Sequence, residues 1–190
     1  MDWNAEYEKK GQVWGDAPSE LARETVKYLT GHSTGIQDAT LVDIGCGYGR
    51  DSFYLSDQLN VHVVGIERAS SGLALTSKHL RDHRVNFICC DFKEMAETRT
   101  FDMLFASNLY HTLSPPDRLA LRNKATKLLR PGGYLFLNAL SVNDKEEYGK
   151  GDIVEGENHI IRERKILTFL HGGRAEARFW QLPRAEIIRA

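Results

Sequence analysis

The stretch Leu41-Val-Asp-Ile-Gly-Cys-Gly-Tyr-Gly-Arg-Asp-Ser-Phe-Tyr-Leu55 constrains the fold more than any other part of the chain. A short, mostly apolar run carries Asp43. Glycines follow at 45, 47 and 49, and Phe53, Leu55 and Leu59 then recur as an apolar stripe suited to a helix. The pattern reads strand, glycine turn, helix. Glycine lets backbone approach a bulky ligand where any side chain would collide with it. A nucleotide-like cofactor is the expected occupant, and a tight turn with no ligand is the plain alternative.

The same alternation continues to residue 140. Leu21, Ala22, Thr25, Val26 and Leu29 recur at helical spacing after a possible cap at Asp16 or Ser19. Strands are expected at 40–44, 61–66, 85–89, 101–106 and 134–140. Helices are expected at 50–59, around 73–80, and from Pro115-Pro116 to a stop at Arg130-Pro131-Gly132-Gly133. Strands alternating with helices predict an α/β fold: a doubly wound, mostly parallel sheet with helices on both faces. After Ser141 the pattern weakens. Residues 144–157 read as a surface loop and 160–170 as partly extended. Ala185 to Arg189 is a candidate last strand, so the C-terminal strand is either degenerate or missing.

At 190 residues a single domain is the default, divided into an arm (1–18), a cofactor-binding core (19–140) and a substrate-side segment (141–190). Trp3, Tyr7, Val13 and Trp14 set aromatics among charges in the arm, which is read either as a surface strap or as a lid. Hydrophobic content of 42% and charged content of 27% are those of a globular protein. The polar first residues, the absence of a long apolar run and three cysteines without metal spacing predict a cytoplasmic protein with no membrane partner. A net charge of −1 supplies no basic field, and on that ground nucleic acid is excluded as a partner. The oligomeric state is left open.

Ligands of doubly wound sheets sit beyond the carboxyl ends of the strands. Those ends carry Asp43, Glu67, Asp91 and the run Ser107 to His111. Glu67, about twenty residues past the glycine turn, suits ribose hydroxyls. An acceptor at Asp91 suits the exocyclic amine of adenine, and Asp43 suits the turn's amides or a cationic group. The third glycine arrives one residue too early for a nicotinamide dinucleotide turn, and no Gly-Lys-Ser/Thr is present to cradle phosphate.

Together Val42-Asp-Ile-Gly-Cys-Gly-Tyr-Gly49, Val63-Val-Gly-Ile-Glu67, Cys90-Asp-Phe92, Phe101-Asp-Met-Leu104 and Leu128-Leu-Arg-Pro-Gly-Gly-Tyr-Leu135 resemble a class I S-adenosylmethionine-dependent methyltransferase, in that family's order. The flanks, Tyr7 with Val13-Trp14-Gly15 and Pro18-Ser19, and Asp144 with Tyr148-Gly-Lys-Gly151 and Glu155, resemble the tellurite-resistance and thiopurine-type members. The resemblance implies S-adenosylmethionine as cofactor. It implies Asp43, Gly45, Cys46 and Gly47 at its methionine part, Glu67 and Arg68 at the ribose, and Asp91 and Phe92 at the adenine. Asn108 would face the methionine end and the transferred methyl, with Tyr7 and Trp14 covering the site.

Transfer from a sulfonium needs alignment and exclusion of water more than it needs acid or base. Tyr7, Trp14, Tyr48 and Tyr110 are candidate aromatics for the cation. Asn108 and His111 are the candidate catalytic residues, His111 as a base if the acceptor requires one. Strand four exits as Ser-Asn-Leu-Tyr, which disfavours amino groups of DNA bases. The expected acceptor is a small molecule with a soft nucleophile: a thiol, or a selenium or tellurium species. The alternative is a domain that binds the cofactor without transferring, as a sensor or partner subunit.

Overall fold

The computed structural model describes residues 2–32, 36–76 and 83–139, together with the backbone of four further strands at 152–154, 159–162, 165–168 and 178–181. The expected strand at 185–189, and the residues at 144–151 that enter the family resemblance, lie outside the described residues.

The arm begins as a helix, α1 (Trp3–Lys10), which the sequence pattern did not suggest. Asp2 caps it, its carboxylate accepting from the amides of Asn4 and Ala5, and Gly11 ends it at φ 65°. Helix α2 (Glu20–His32) follows, then β1 (Thr40–Ile44), α3 (Arg50–Leu59), β2 (His62–Glu67), α4 (Ser70–Ala74), β3 (Val85–Cys89) and β4 (Phe101–Ala106). A short 3₁₀ turn at Tyr110–Thr112 leads to α5 (Pro115–Leu128), capped by Ser114 with two prolines in its first turn.

Strand β5 (Leu129–Leu137) starts directly from α5. The expected stop at Arg130–Gly133 is therefore an irregularity inside the strand. Pairing with β4 runs Phe101 to Leu129 and then jumps to Met103 with Tyr134, so Pro131-Gly132-Gly133 is absorbed as a bulge.

The main sheet has the order β3-β2-β1-β4-β5-β9, where β9 is Arg178–Gln181. Its first five strands are parallel, and β9 pairs antiparallel with β5. This is the five-stranded parallel sheet of the methyltransferase fold. The last strand is present, just ahead of the position expected for it. A separate antiparallel sheet, β6 (Asp152–Val154), β7 (His159–Arg162) and β8 (Lys165–Thr168), lies in sequence between β5 and β9. Its first strand falls within the segment read as a loop.

Period-two alternation sorts the core onto the two faces. Val42, Ile44, Val64, Ile66 and Leu104 pack with Leu121 and Leu128 of α5. Leu41, Val63, Met103 and Phe105 pack with Leu21 and Leu29 of α2 and Leu55 of α3. Each such side chain, fully buried, stabilises the fold by roughly 1.5–3 kcal/mol before conformational entropy is subtracted. A third cluster, Tyr7, Tyr48 and Ala69 with Trp3 and Val13 against it, joins the arm to the core.

Candidate functional site

Parallel strands in the order β3-β2-β1-β4 bring Cys89, Glu67, Ile44 and Ala106 to one edge. The residues that follow each strand therefore share a crevice. Gly45 and Cys46 donate their amides to the carbonyl of Ile66 at 2.8 and 3.1 Å, and Cys90 donates to that of Glu67 at 3.1 Å. These bonds hold the three strand exits side by side.

The glycine turn is held open by its neighbours. Gly47 sits at φ 58°, and a Cβ there would lie 2.7 Å from the hydroxyl oxygen of Tyr7. Only glycine fits between the turn and the arm. The Gly47 amide donates to Glu67 Oε2 at 3.0 Å, and the Ala69 amide to Oε1 at 2.8 Å. A carboxylate offers about four lone-pair sites, so Glu67 keeps capacity for a vicinal diol.

Asp43 is buried and accepts from Ser52 Oγ at 2.5 Å. Burial lifts its pKa to about 7, against the pull of Ser52. The same loss of solvation raises the Tyr7 hydroxyl and the Cys46 thiol, both neutral at physiological pH. A group bearing positive charge at this spot would return Asp43 to its ionised form.

One cleft gathers Tyr7, Trp14, Asp43, Gly45, Cys46, Gly47, Tyr48, Arg50, Asp51, Ser107 and Asn108. Seven of these are residues for which the sequence predicts a cofactor role. Glu67, Arg68, Asp91 and Phe92 are not part of its lining. They run along the same strand edge toward β3, where a long ligand leaving the cleft would continue. Asp91 is partly exposed, with Lys93 Nζ 3.6 Å away, and Arg68 is exposed. The Phe92 ring is buried in the core against α5, so only its backbone is available to a ligand.

His111 lies in the 3₁₀ turn, buried, and does not line the cleft. Burial lowers its pKa to about 4, and Nδ1 has no hydrogen-bond partner among the described residues. The imidazole is therefore neutral at physiological pH and stands outside the cleft lining. Tyr110 also points elsewhere: its hydroxyl accepts from Arg122 at 2.6 Å. Tyr7, Trp14 and Tyr48 are the aromatics that face the cleft.

Sequence reasoning missed how the arm is fastened. Tyr48 Oη accepts from the Trp14 amide at 3.0 Å and donates to the Gly15 carbonyl at 2.7 Å. Arg50 donates to the Trp14 carbonyl at 2.9 Å, and Asp51 accepts the Ser19 amide at 2.8 Å. The partners are more than thirty residues apart, so no local spacing reveals them.

The buried acceptor, the glycine cradle and the second carboxylate on the next strand fit an amino acid joined to an adenosine. Residues 41–133 match the family model described as a methyltransferase domain. The chain carries a class I S-adenosylmethionine-dependent methyltransferase domain. A tRNA U34 carboxymethyltransferase from Actinobacillus succinogenes is 34% identical over 121 residues, which are 60% of this chain and 36% of that protein. Phosphoethanolamine N-methyltransferase 2 from Caenorhabditis elegans is 31% identical over 116 residues, covering 59% of this chain and 24% of the relative. An amino pentose methyltransferase from Micromonospora echinaspora, solved with S-adenosylmethionine bound, superposes with a TM-score of 0.53 at 25% identity, over 72% of this chain and 55% of that one. The chain spans about a third or less of these two curated relatives.

Two expectations are corrected by these relatives. The exclusion of nucleic acid, and with it the restriction to a small-molecule partner, is overturned by similarity to tRNA U34 carboxymethyltransferases. Net charge is a sum over the whole chain and does not describe the local field where an acceptor docks. The narrower likeness to tellurite-resistance and thiopurine-type enzymes rested on residues 7–19 and 144–155. Both flanks lie outside the matched 41–133, and the relatives matched include tRNA and phosphoethanolamine methyltransferases. Among the described residues, no helix is long and apolar enough to cross a membrane.

Proposed function

We propose that this chain holds S-adenosylmethionine at the β1–β4 cleft and passes its methyl group to an acceptor atom that is nucleophilic at neutral pH without a general base. Thiolates and selenium or tellurium anions are atoms of that kind. Asp43 would take the cofactor's ammonium and Glu67 the ribose hydroxyls. Asp91 would take the adenine amine. Tyr7, Trp14 and Tyr48 would keep water from the sulfonium, each aromatic face favouring the cation by about 0.5–2 kcal/mol. The cofactor supplies an activated methyl; the protein's part is alignment.

The observation that carries the acceptor reading is that, among the described residues, the histidine near β4's exit is buried, neutral and outside the cleft lining. Purified protein incubated with S-adenosylmethionine is tested for S-adenosylhomocysteine release on a panel: a thiol, selenite, phosphoethanolamine and bulk tRNA. Turnover on at least one of these acceptors, tRNA included, with His111→Gln within about threefold of wild type, is the expected result. A hundredfold loss in His111→Gln on the acceptor that turns over overturns the base-free chemistry. Binding without turnover on any arm overturns transfer.

A further inference from the structure

Arg118 and Arg122 stand one turn apart on the same face of α5, a placement of like charges that by itself disfavours a helix. The other cations of this stretch are matched. Lys124 and Lys127 each meet Glu97 at 3.0 Å, and Arg130 meets Asp102 at 2.7 Å. Arg122, half-buried, meets no carboxylate among the described residues; its Nη1 donates to the Tyr110 hydroxyl at 2.6 Å, a neutral partner. Arg118 Cζ lies 5.9 Å from the centre of the same ring. A guanidinium has five N–H donors, and the bond to Tyr110 takes one of Arg122's. Because the Tyr110 oxygen accepts that bond, the phenol keeps its own hydrogen to donate.

The patch stands beside the cleft and not in it. Tyr110, Arg118 and Arg122 are absent from the lining, yet Tyr110 follows the cleft-lining Asn108 by two residues, a reach of about 7 Å at most. Strand β8 packs against the same 3₁₀ turn, so the patch lies where the core meets the antiparallel sheet. A half-buried cation without a counter-charge is costly until an anion arrives. Two guanidinium forks and a phenol hydrogen around one ring suit a tetrahedral oxyanion, because planar forks give paired bonds to phosphate oxygens. S-adenosylmethionine carries no phosphate, so such a group belongs to the acceptor. We infer that Tyr110, Arg118 and Arg122 hold a phosphate of the methyl acceptor, whose nucleophilic atom reaches the cleft past Asn108. This rests on the transfer reading above.

The test titrates inorganic phosphate into the protein loaded with S-adenosylhomocysteine, at an ionic strength held constant with potassium chloride and followed by phosphorus NMR. Wild type is expected to bind one phosphate saturably. Arg122→Gln should weaken it about tenfold, and Arg122→Lys, which keeps the charge and loses the fork, at least about threefold. Affinity for S-adenosylhomocysteine should stay within about twofold in both, since the patch is not the cofactor's. Where Arg122→Gln fails to fold, Arg122→Lys and Tyr110→Phe carry the measurement. In turnover, inorganic phosphate should compete with the acceptor and not with S-adenosylmethionine, and Arg122→Lys should raise the acceptor's KM while kcat stays within about threefold. Phosphoethanolamine and bulk tRNA as acceptors separate a phosphate monoester from a phosphodiester chain. Phosphate binding that does not saturate, turnover that phosphate does not inhibit, or variants that melt lower yet bind phosphate as wild type does each overturn the inference; the last makes Arg122 a structural pin for the turn. A wild type that does not bind S-adenosylhomocysteine overturns the cofactor reading itself, and this inference with it.

Discussion

Asp43 is a carboxyl group whose surroundings disfavour its charge until a cation arrives. Its ordinary value of 3.8 rises to about 7, burial being the main cause. Below about pH 4 it is protonated in native and unfolded chains alike and contributes nothing to the pH dependence of stability. Between about 4 and 7 the native protein keeps a proton that the unfolded chain has released, so stability falls as pH rises; above 7 the penalty is complete. Asp43→Asn removes the charge and can keep the bond from Ser52. It should therefore raise the melting temperature, more at pH 8 than at pH 5, by an energy on the order of 2 kcal/mol. The same variant should weaken S-adenosylhomocysteine binding at least tenfold. In wild type, that affinity should climb from pH 5.5 to about 7 and then level off, because the ligand's ammonium needs the ionised carboxylate. Calorimetry across pH checks the affinity and thermal melts check the stability. A variant that is less stable at pH 8 would show that Asp43 is not the strained group described.

At the scale of elements, the arm is held at two separate places. Helix α1 sits on α4, where Asn4 Oδ1 accepts from the Ser71 amide at 3.1 Å and its hydroxyl at 2.9 Å. The Tyr7 ring lies so close to Gly72 that a Cβ there would come within 2.8 Å of it. The turn at 14–19 is fixed independently by Tyr48, Arg50 and Asp51, all in the first residues after the glycine turn. The ligand cradle and the arm's anchor are thus built from one stretch of chain, and anything that shifts one is felt by the other. Gly72→Ala should push Tyr7 off the cradle, lowering cofactor affinity about tenfold while costing global stability about 1 kcal/mol or less, since the arm can swing away from the core. Tyr48→Phe removes two hydrogen bonds, each worth roughly 0.5–1.5 kcal/mol. Hydrogen exchange should then speed up at residues 12–16 and stay unchanged in β1 and β4. Faster exchange throughout the sheet would mean that the arm is part of the fold's cooperative core and not a strap on it.

The parallel sheet was legible because each buried strand announces itself locally. Val61 to Ile66 and Phe101 to Ala106 are mostly apolar runs, each broken by a single charged or polar side chain (His62, Asp102), and Glu67 closes β2 directly after the first of them. What escaped depends on contacts made far along the chain. Nothing near Asn138 signals that its side-chain oxygen will accept from the Asn108 amide, thirty residues earlier. Nothing near Ser19 signals Asp51. The glycines at 132 and 133 look like a stop because a bulge and a loop share the same chemistry. Charge misled for a related reason: a sum near zero hides any patch. The outer edge of the sheet is the largest feature the sequence left open. Strand β9 covers β5 through the pairs Tyr134 with Gln181, Leu135 with Trp180, Phe136 with Phe179 and Leu137 with Arg178. Without it, β5 would present unpaired backbone groups beside buried Phe136, an edge of the kind that recruits another chain. A chain ending at Thr168 should therefore melt several degrees lower and form dimers or larger species that grow with concentration, read by light scattering after size exclusion. Cofactor affinity should fall far less than in Asp43→Asn, because the cleft lies at β1 and β4, with β5 between it and the lost strand. A truncated chain whose melting temperature and mass match the full chain's would show that β5 needs no cover.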